Sequence, residues 1–306
     1  MWQFVSRQGA SCYHARLGIS DVAIEPGHRE AFVDYDRLNG IADVIAREYL
    51  GAEPIPHAVI DDFLDPDLAH QLMAEFPAVD RSSWINWTHV NELKYGRSDR
   101  ASFPPTIGGV VDELHSPTFI RWLERLTGIS GLVADPSLEG SGLHQSGRGG
   151  YLNIHTDFTG HPHQPTWRRR VNLLLYLNER WEDGFGGHLE FWSRDMKRCT
   201  RKIAPVLNRA VIFNTSDALH GHPEPMTCPA AVTRKSIALY YFTAESQPFP
   251  IRSTDYRARP GDGWRSVAIY LDTRLLRGYD CAKRVLGLDD RFASQVLRVL
   301  SRLWGR

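Results

Sequence analysis

Only four cysteines occur in the 306-residue chain, Cys12, Cys199, Cys228 and Cys281, and no two stand in CxxC spacing. That scatter excludes a thiolate zinc cluster and a disulfide framework, and it fits a reducing compartment. Neither sign of charge is in excess, since 36 Lys and Arg balance 36 Asp and Glu. No global field therefore draws the chain toward nucleic acid or an acidic surface. No uninterrupted apolar stretch is long enough to span a bilayer. The N-terminal Met-Trp-Gln-Phe-Val-Ser-Arg-Gln lacks the apolar core of a secretion signal. The expectation is a cytoplasmic protein with no transmembrane segment. Internal repeats and low-complexity tracts are missing too, which removes solenoids and arrays.

What is present reads as helices first and strands afterwards. Residues 1–28 show no clear period. From Arg29 to Leu50, Phe32, Tyr35, Leu38, Ile41, Val44 and Ile45 recur at helical spacing. A short strand is expected at His57–Ile60. Asp65-Pro66-Asp67 then opens a helix through Leu68, Leu72, Met73 and Phe76. Residues 77–106 read as loop, rich in Trp84, Trp87, Tyr95 and Phe103. Ser116-Pro117 caps a helix over Thr118–Leu126 that Gly128 can end. From about residue 131 strands follow, at 152–158, 171–178, 188–193, 209–215 and 236–243. An Arg/Pro/Gly-rich stretch after residue 250 leads to C-terminal helices, the last over Asp290–Trp304. The fold class expected is α+β with a mainly β core, an antiparallel sandwich or jelly roll. The domains expected are an N-terminal helical extension (1–55), a catalytic body (56–250) and a C-terminal helical extension (251–306).

The chemistry is carried by three stations in order. His155 and Asp157, in Tyr-Leu-Asn-Ile-His-Thr-Asp-Phe, share one face of an extended strand. That places an imidazole beside a carboxylate, half of a 2-His-1-carboxylate iron site. His-x-Asp alone arises easily by chance. A second histidine follows in Ala-Leu-His220-Gly-His222-Pro, where His220 is preferred as the ligand and His222 is its competitor. Then Arg234, Ser236, Ala238 and Tyr240 share one strand face. An inward arginine needs an anion, and a dicarboxylate beside Arg234 and Ser236 would supply it.

The ordered set His155-x-Asp157, His220, Arg234-x-Ser236 resembles the prolyl-4-hydroxylase-like branch of the 2-oxoglutarate/Fe(II) oxygenases. Supporting runs are Arg170–Asn178, Gly186-Gly187-His188-Leu189-Glu190, and Pro205 with Asn208-Arg209. The resemblance spans about residues 55–250 and implies a double-stranded β-helix core with flanking helices. It implies Fe(II) on His155, Asp157 and His220, and 2-oxoglutarate on Arg234 and Ser236. Tyr176 matches a strand residue that hydrogen-bonds the cosubstrate, with Asn172 on its face. Where relatives place a tyrosine ten residues before the first ligand, this chain has Gln145, whose amide can still donate to a carboxylate. The segment from Glu224 to Thr233 is also longer than in the animal hydroxylases.

The activity implied is hydroxylation of an unactivated C–H by O2, with release of succinate and CO2 and with ascorbate supportive in vitro. Asp157 is present, so hydroxylation outranks halogenation, which needs a vacated ligand position. A small biosynthetic intermediate (amino acid, natural product or saccharide) is the first expectation for substrate. A peptidyl, prolyl-type target is the second, and a non-enzymatic metal-binding jelly-roll sensor is the rival from another class. His161 and His163 read as loop histidines, His144 as packing, and Arg168-Arg169-Arg170 as a solvated turn. Loop 81–105, with Trp84, Trp87, Lys94 and Tyr95, reads as a substrate lid or as core. The last helix suits packing on the catalytic body or in a homodimer.

Overall fold

Local signals place the first elements where the residues demand them. Helix α1 (Tyr35–Gly51) starts at Asp34, whose side chain accepts from the Arg37 amide. Strand β1 is His57–Ile60. Helix α2 (Pro66–Glu75) has Asp65 as its cap and proline in its first turn. Helix α3 (Pro105–Leu114) precedes α4 (Pro117–Thr127), which Ser116 caps and Gly128 ends at φ 69°. That positive φ is the left-handed geometry glycine adopts at no cost. The computed structural model describes residues 31–80 and 83–286. The unassigned residues 1–28 and the expected helix Asp290–Trp304 lie outside the described residues.

Where a loop is expected over 77–106, the chain forms a hairpin, β2 (Ile85–His89) and β3 (Glu92–Arg97). The remaining strands are β4 (Leu132–Ala134), β5 (Gly142–Ser146), β6 (Tyr151–Thr156), β7 (Trp167–Tyr176), β8 (Leu189–Trp192), β9 (Cys199–Ile203), β10 (Arg209–Asn214), β11 (His220–His222), β12 (Arg234–Ala244) and β13 (Asp255–Tyr256). Helix α5 (Arg265–Leu286) follows.

The strands form one curled antiparallel sheet in the order β1-β10-β7-β12-β5-β3-β6-β11-β8-β9. Its first half is backed by helices. Leu173, Leu175, Ile212, Ile237, Leu239 and Tyr241 point to that side and pack with Leu38, Leu72, Phe119 and Leu123. The alternate residues point into the barrel, where Tyr176, Val211 and Phe213 meet Leu189 and Phe191 of the opposite half. Period-two alternation thus sorts each strand into a core face and a barrel face. This is the mainly β jelly-roll body with flanking helices that the sequence implies.

Candidate metal centre and cosubstrate site

Strands β6 and β11 lie side by side with His155 opposite His220. Directly opposed residues share a face, so both imidazoles enter the barrel, with ring centroids 4.4 Å apart. Asp157 follows the end of β6. Its carboxylate lies 3.5 Å from His155 Nε2 and 3.7 Å from His220 Nε2. Ligand atoms of these three buried residues all lie within 4.8 Å of one another.

The tautomers are fixed from behind. His155 Nδ1 donates to the Asn153 carbonyl at 2.9 Å, and His220 Nδ1 to that of Ala218 at 3.1 Å. That leaves each Nε2, the atom a metal would take, facing the carboxylate. Burial pushes the His220 pKa down to about 4, keeping the ring neutral. For Asp157 burial acts upward, but Arg169, His220 and His155 outweigh it and hold the carboxyl well below its usual range. A bulge between His220 and His222 adjusts the register here. Gly221 is required at that point, because a Cβ would meet the Leu152 carbonyl oxygen at 2.6 Å.

Arg169 and Asn172 clamp Asp157. Arg169 Nη2 lies 3.3 Å from Oδ2, and Asn172 Nδ2 donates to the same oxygen at 2.9 Å. Arg169 Nε donates to Asn172 Oδ1, closing the triangle. Asn172 therefore stands on the barrel face, as its strand position implies, with its amide engaged by Asp157 and Arg169. Arg169 itself was expected in a solvated turn. Strand β7 begins earlier, at Trp167, and a register shift opposite Tyr241/Phe242 skips Arg170. The bulge turns Arg169 inward.

Arg234, Ser236 and Tyr176 come together as the sequence implies. Ser236 lies opposite Tyr176, and Arg234 Nη2 donates to the Tyr176 hydroxyl at 3.0 Å. Arg234 Nε donates to the Gly187 carbonyl at 2.7 Å. Among the described residues no carboxylate pairs with this buried guanidinium. Gln145 stands elsewhere. It lies opposite Lys235, on the face away from Arg234, and donates to Thr233 Oγ1 at 2.7 Å. His144, opposite Ser236, occupies the barrel face instead. Burial pushes its pKa down to about 3, and its Nε2 has no partner. His222 Nδ1 is likewise without a partner, and burial and then Arg234 hold that ring neutral.

The hairpin closes this end of the barrel. On its inner face Trp87 lies opposite Lys94 and His89 opposite Glu92. Lys94 Nζ is 3.0 Å from Glu92 and 4.8 Å from the Trp87 ring centroid. His89 bridges Glu92 and Asp272 of α5, at 2.8 Å to each. Tyr256, opposite His155 on β13, is close enough for the Glu92 charge to act on its hydroxyl, and its ring lies 5.4 Å from that of His155. The sequence gives no periodic signal for Tyr256, since β13 is two residues long.

The other candidates lie outside this cluster. Trp84 is in the helix-backed core, and Tyr95 packs against it. His161 is buried beside Asp135 and packs edge-on to Trp167 and Phe242. Arg168 pairs with Glu245.

The family model of the 2OG-Fe(II) oxygenase superfamily matches residues 141–242, the stretch from β5 through most of β12. The segment that carries the triad matches the model of the 2OG-Fe(II) oxygenase superfamily. Similar solved structures include a prolyl hydroxylase from Trichoplax adhaerens in complex with a hypoxia inducible factor peptide fragment. It is 16% identical, covers 68% of this chain and 91% of its own, and has a TM-score of 0.50. A Pseudomonas putida prolyl-4-hydroxylase is 17% identical over 67% of this chain and 98% of its own, with TM-score 0.47. HygX from Streptomyces hygroscopicus, with nickel, 2-oxoglutarate and hygromycin B bound, is 13% identical over 62% and 83%, with TM-score 0.42. No curated protein sequence matches the chain. Iron(II) and 2-oxoglutarate are the cofactor and cosubstrate of such an oxygenase. The residues fit both: two imidazoles and a carboxylate for iron, and a buried arginine without a carboxylate partner for the dicarboxylate. Among the described residues no helix is long and apolar enough to cross a membrane.

Proposed function

We propose that this oxygenase hydroxylates an unactivated C–H of a small biosynthetic intermediate (an amino acid, a natural product or a saccharide) with release of succinate and CO2. The carrying observation is the convergence of the His155–Asp157–His220 triad and the carboxylate-free Arg234 on one barrel interior. In this reading His155, Asp157 and His220 bind Fe(II), the facial set that leaves coordination positions open. Arg234 binds the distal carboxylate of 2-oxoglutarate, with Tyr176 and Ser236 beside it. His144 takes the contact that the sequence suggests for Gln145, because it is His144 that shares the face of Ser236. Iron, 2-oxoglutarate and O2 supply the oxidising power for the C–H bond, while the protein orients the substrate and excludes water. Arg169 and Asn172 hold the Asp157 carboxylate in one orientation. The free thiols of Cys199 and Cys228 suit the reducing, cytoplasmic setting that belongs to this reading.

A peptidyl, prolyl-type target is the second reading, favoured by the fold shared with the peptide-bound Trichoplax hydroxylase. One assay addresses both. With iron(II), ascorbate and O2, the protein should convert 2-oxoglutarate slowly to succinate, and a true substrate should accelerate that conversion. Acceleration by small molecules supports the first reading, and acceleration by proline-containing peptides alone replaces it with the second. No succinate with metal still bound leaves the non-enzymatic metal-binding sensor, and no binding of metal or 2-oxoglutarate overturns the oxygenase reading.

A further inference from the structure

The inner face of the hairpin carries a cation that neither the triad nor the cosubstrate pocket uses. Lys94 stands between Trp87 and Glu92, and its side chain keeps 17% of its surface exposed. It is close enough to the site that its charge acts on Asp157, Tyr240, His144 and His222. An ammonium has three N–H donors, and the ion pair with Glu92 occupies one side of it.

Glu92 does not neutralise Lys94 alone. The same carboxylate accepts from His89 Nε2, while Asp272 balances His89 from the other side. The barrel interior therefore holds Asp157 and Glu92 against Arg169, Arg234 and Lys94. A divalent metal and a doubly charged 2-oxoglutarate cancel each other, so one positive charge is left over. A buried surplus charge is costly unless something pairs with it.

We propose that Lys94, backed by the Trp87 ring, is the recognition point for an anionic oxygen group, carboxylate or phosphate, on the primary substrate. This rests on the oxygenase reading above and narrows its substrate to an anionic or zwitterionic molecule. Trp87 supplies an apolar wall beside the ammonium, so the body of the substrate lies on the indole while its anion meets Nζ. The site lies on a hairpin paired to both β5 and β6, so it is held in register with His144 and with the strand that bears His155.

The test uses the full chain loaded with Mn(II) and 2-oxoglutarate without O2, so that nothing turns over. The probes are matched pairs: amino acids and dipeptides against their carboxamides, and sugar phosphates against the free sugars. Binding is read by saturation-transfer NMR. The anionic member of a pair should bind about ten-fold or more tightly than its neutral counterpart. Lys94→Met should erase that preference and Lys94→Arg should keep it, while both retain Mn(II) and 2-oxoglutarate affinity. Preference among the carboxylate pairs or among the phosphate pairs tells which anion is read. Equal binding of both members, no binding of any anionic probe, or a preference that survives in Lys94→Met overturns the proposal. So does a loss confined to 2-oxoglutarate, which would make Lys94 a cosubstrate contact. Failure of the wild type to bind Mn(II) and 2-oxoglutarate at all would instead defeat the oxygenase reading, and this proposal with it.

Discussion

Arg169 and Asp157 form a buried ion pair, Nη2 to Oδ2 at 3.3 Å, across the strand junction that bears the metal triad. The guanidinium is also stacked 3.4 Å from the Tyr240 ring centroid, so it cannot swing away. Before metal binds, Arg169 is the cation that balances Asp157. Breaking a buried pair from one side costs about 3–5 kcal/mol. Arg169→Met should therefore lower the melting temperature of the metal-free protein, and Mn(II) should raise it by more than in the wild type. An equal metal-induced shift in both would show that Arg169 does not serve as that counter-ion. Asn172→Leu changes no charge and removes both the donor to Asp157 Oδ2 and the acceptor of Arg169 Nε. It should weaken Mn(II) binding roughly ten-fold or more, the usual cost of losing an outer partner of a metal ligand.

The two histidines of β11 should separate cleanly. His220→Ala, like Asp157→Ala, should abolish both Mn(II) binding and succinate formation. His222→Ala should retain metal binding, because only His220 lies with His155 and Asp157 in the ligand cluster. Loss of metal from His222→Ala with retention in His220→Ala would reverse the assignment.

Much of this centre was legible in the sequence because strand alternation alone puts His155 beside Asp157 and Arg234 beside Ser236. The capping signals at Asp65, Ser116 and Gly128 also read true. The hairpin was not legible, and the reason is physical. Its inner face lines a polar site, so Trp87, His89, Glu92 and Lys94 stand where a strand usually shows apolar residues. Its turn, Val90-Asn91, also lacks the Asn-Gly or Asp-Gly signature. Arg169 was hidden by a bulge, and a single skipped residue reverses every facing before it.

A one-residue difference of the same kind separates His144 from Gln145. Counting back from His155 favours Gln145, but pairing with β12 puts His144 opposite Ser236. His144→Ala should therefore raise the 2-oxoglutarate concentration needed for half-maximal succinate formation, in the same direction as Arg234→Ala. Gln145→Ala should leave that requirement unchanged, since its amide bonds Thr233 on the other face. The opposite ranking would restore Gln145 as the contact.

The pH dependence of stability should report on His89, which ties the hairpin to α5. Burial disfavours its charged form, but the hydrogen bonds to Asp272 and Glu92, with their charges, win and raise its pKa from 6.5 to about 9. Both ring nitrogens face carboxylates, and only the imidazolium can donate from both. A raised pKa gives a contribution that is complete below pH 6.5 and lost as pH rises through about 9. Glu92 is held well below the usual carboxylate range, and Lys94 titrates above its ordinary 10.5, so neither changes charge in that window. Between pH 6.5 and 9.5 the wild type should lose up to about 3 kcal/mol, a fall of several degrees in melting temperature. In His89→Gln the alkaline fall should be largely absent, because its amide carries no charge to lose. A fall of equal size in the variant would place the titrating group elsewhere.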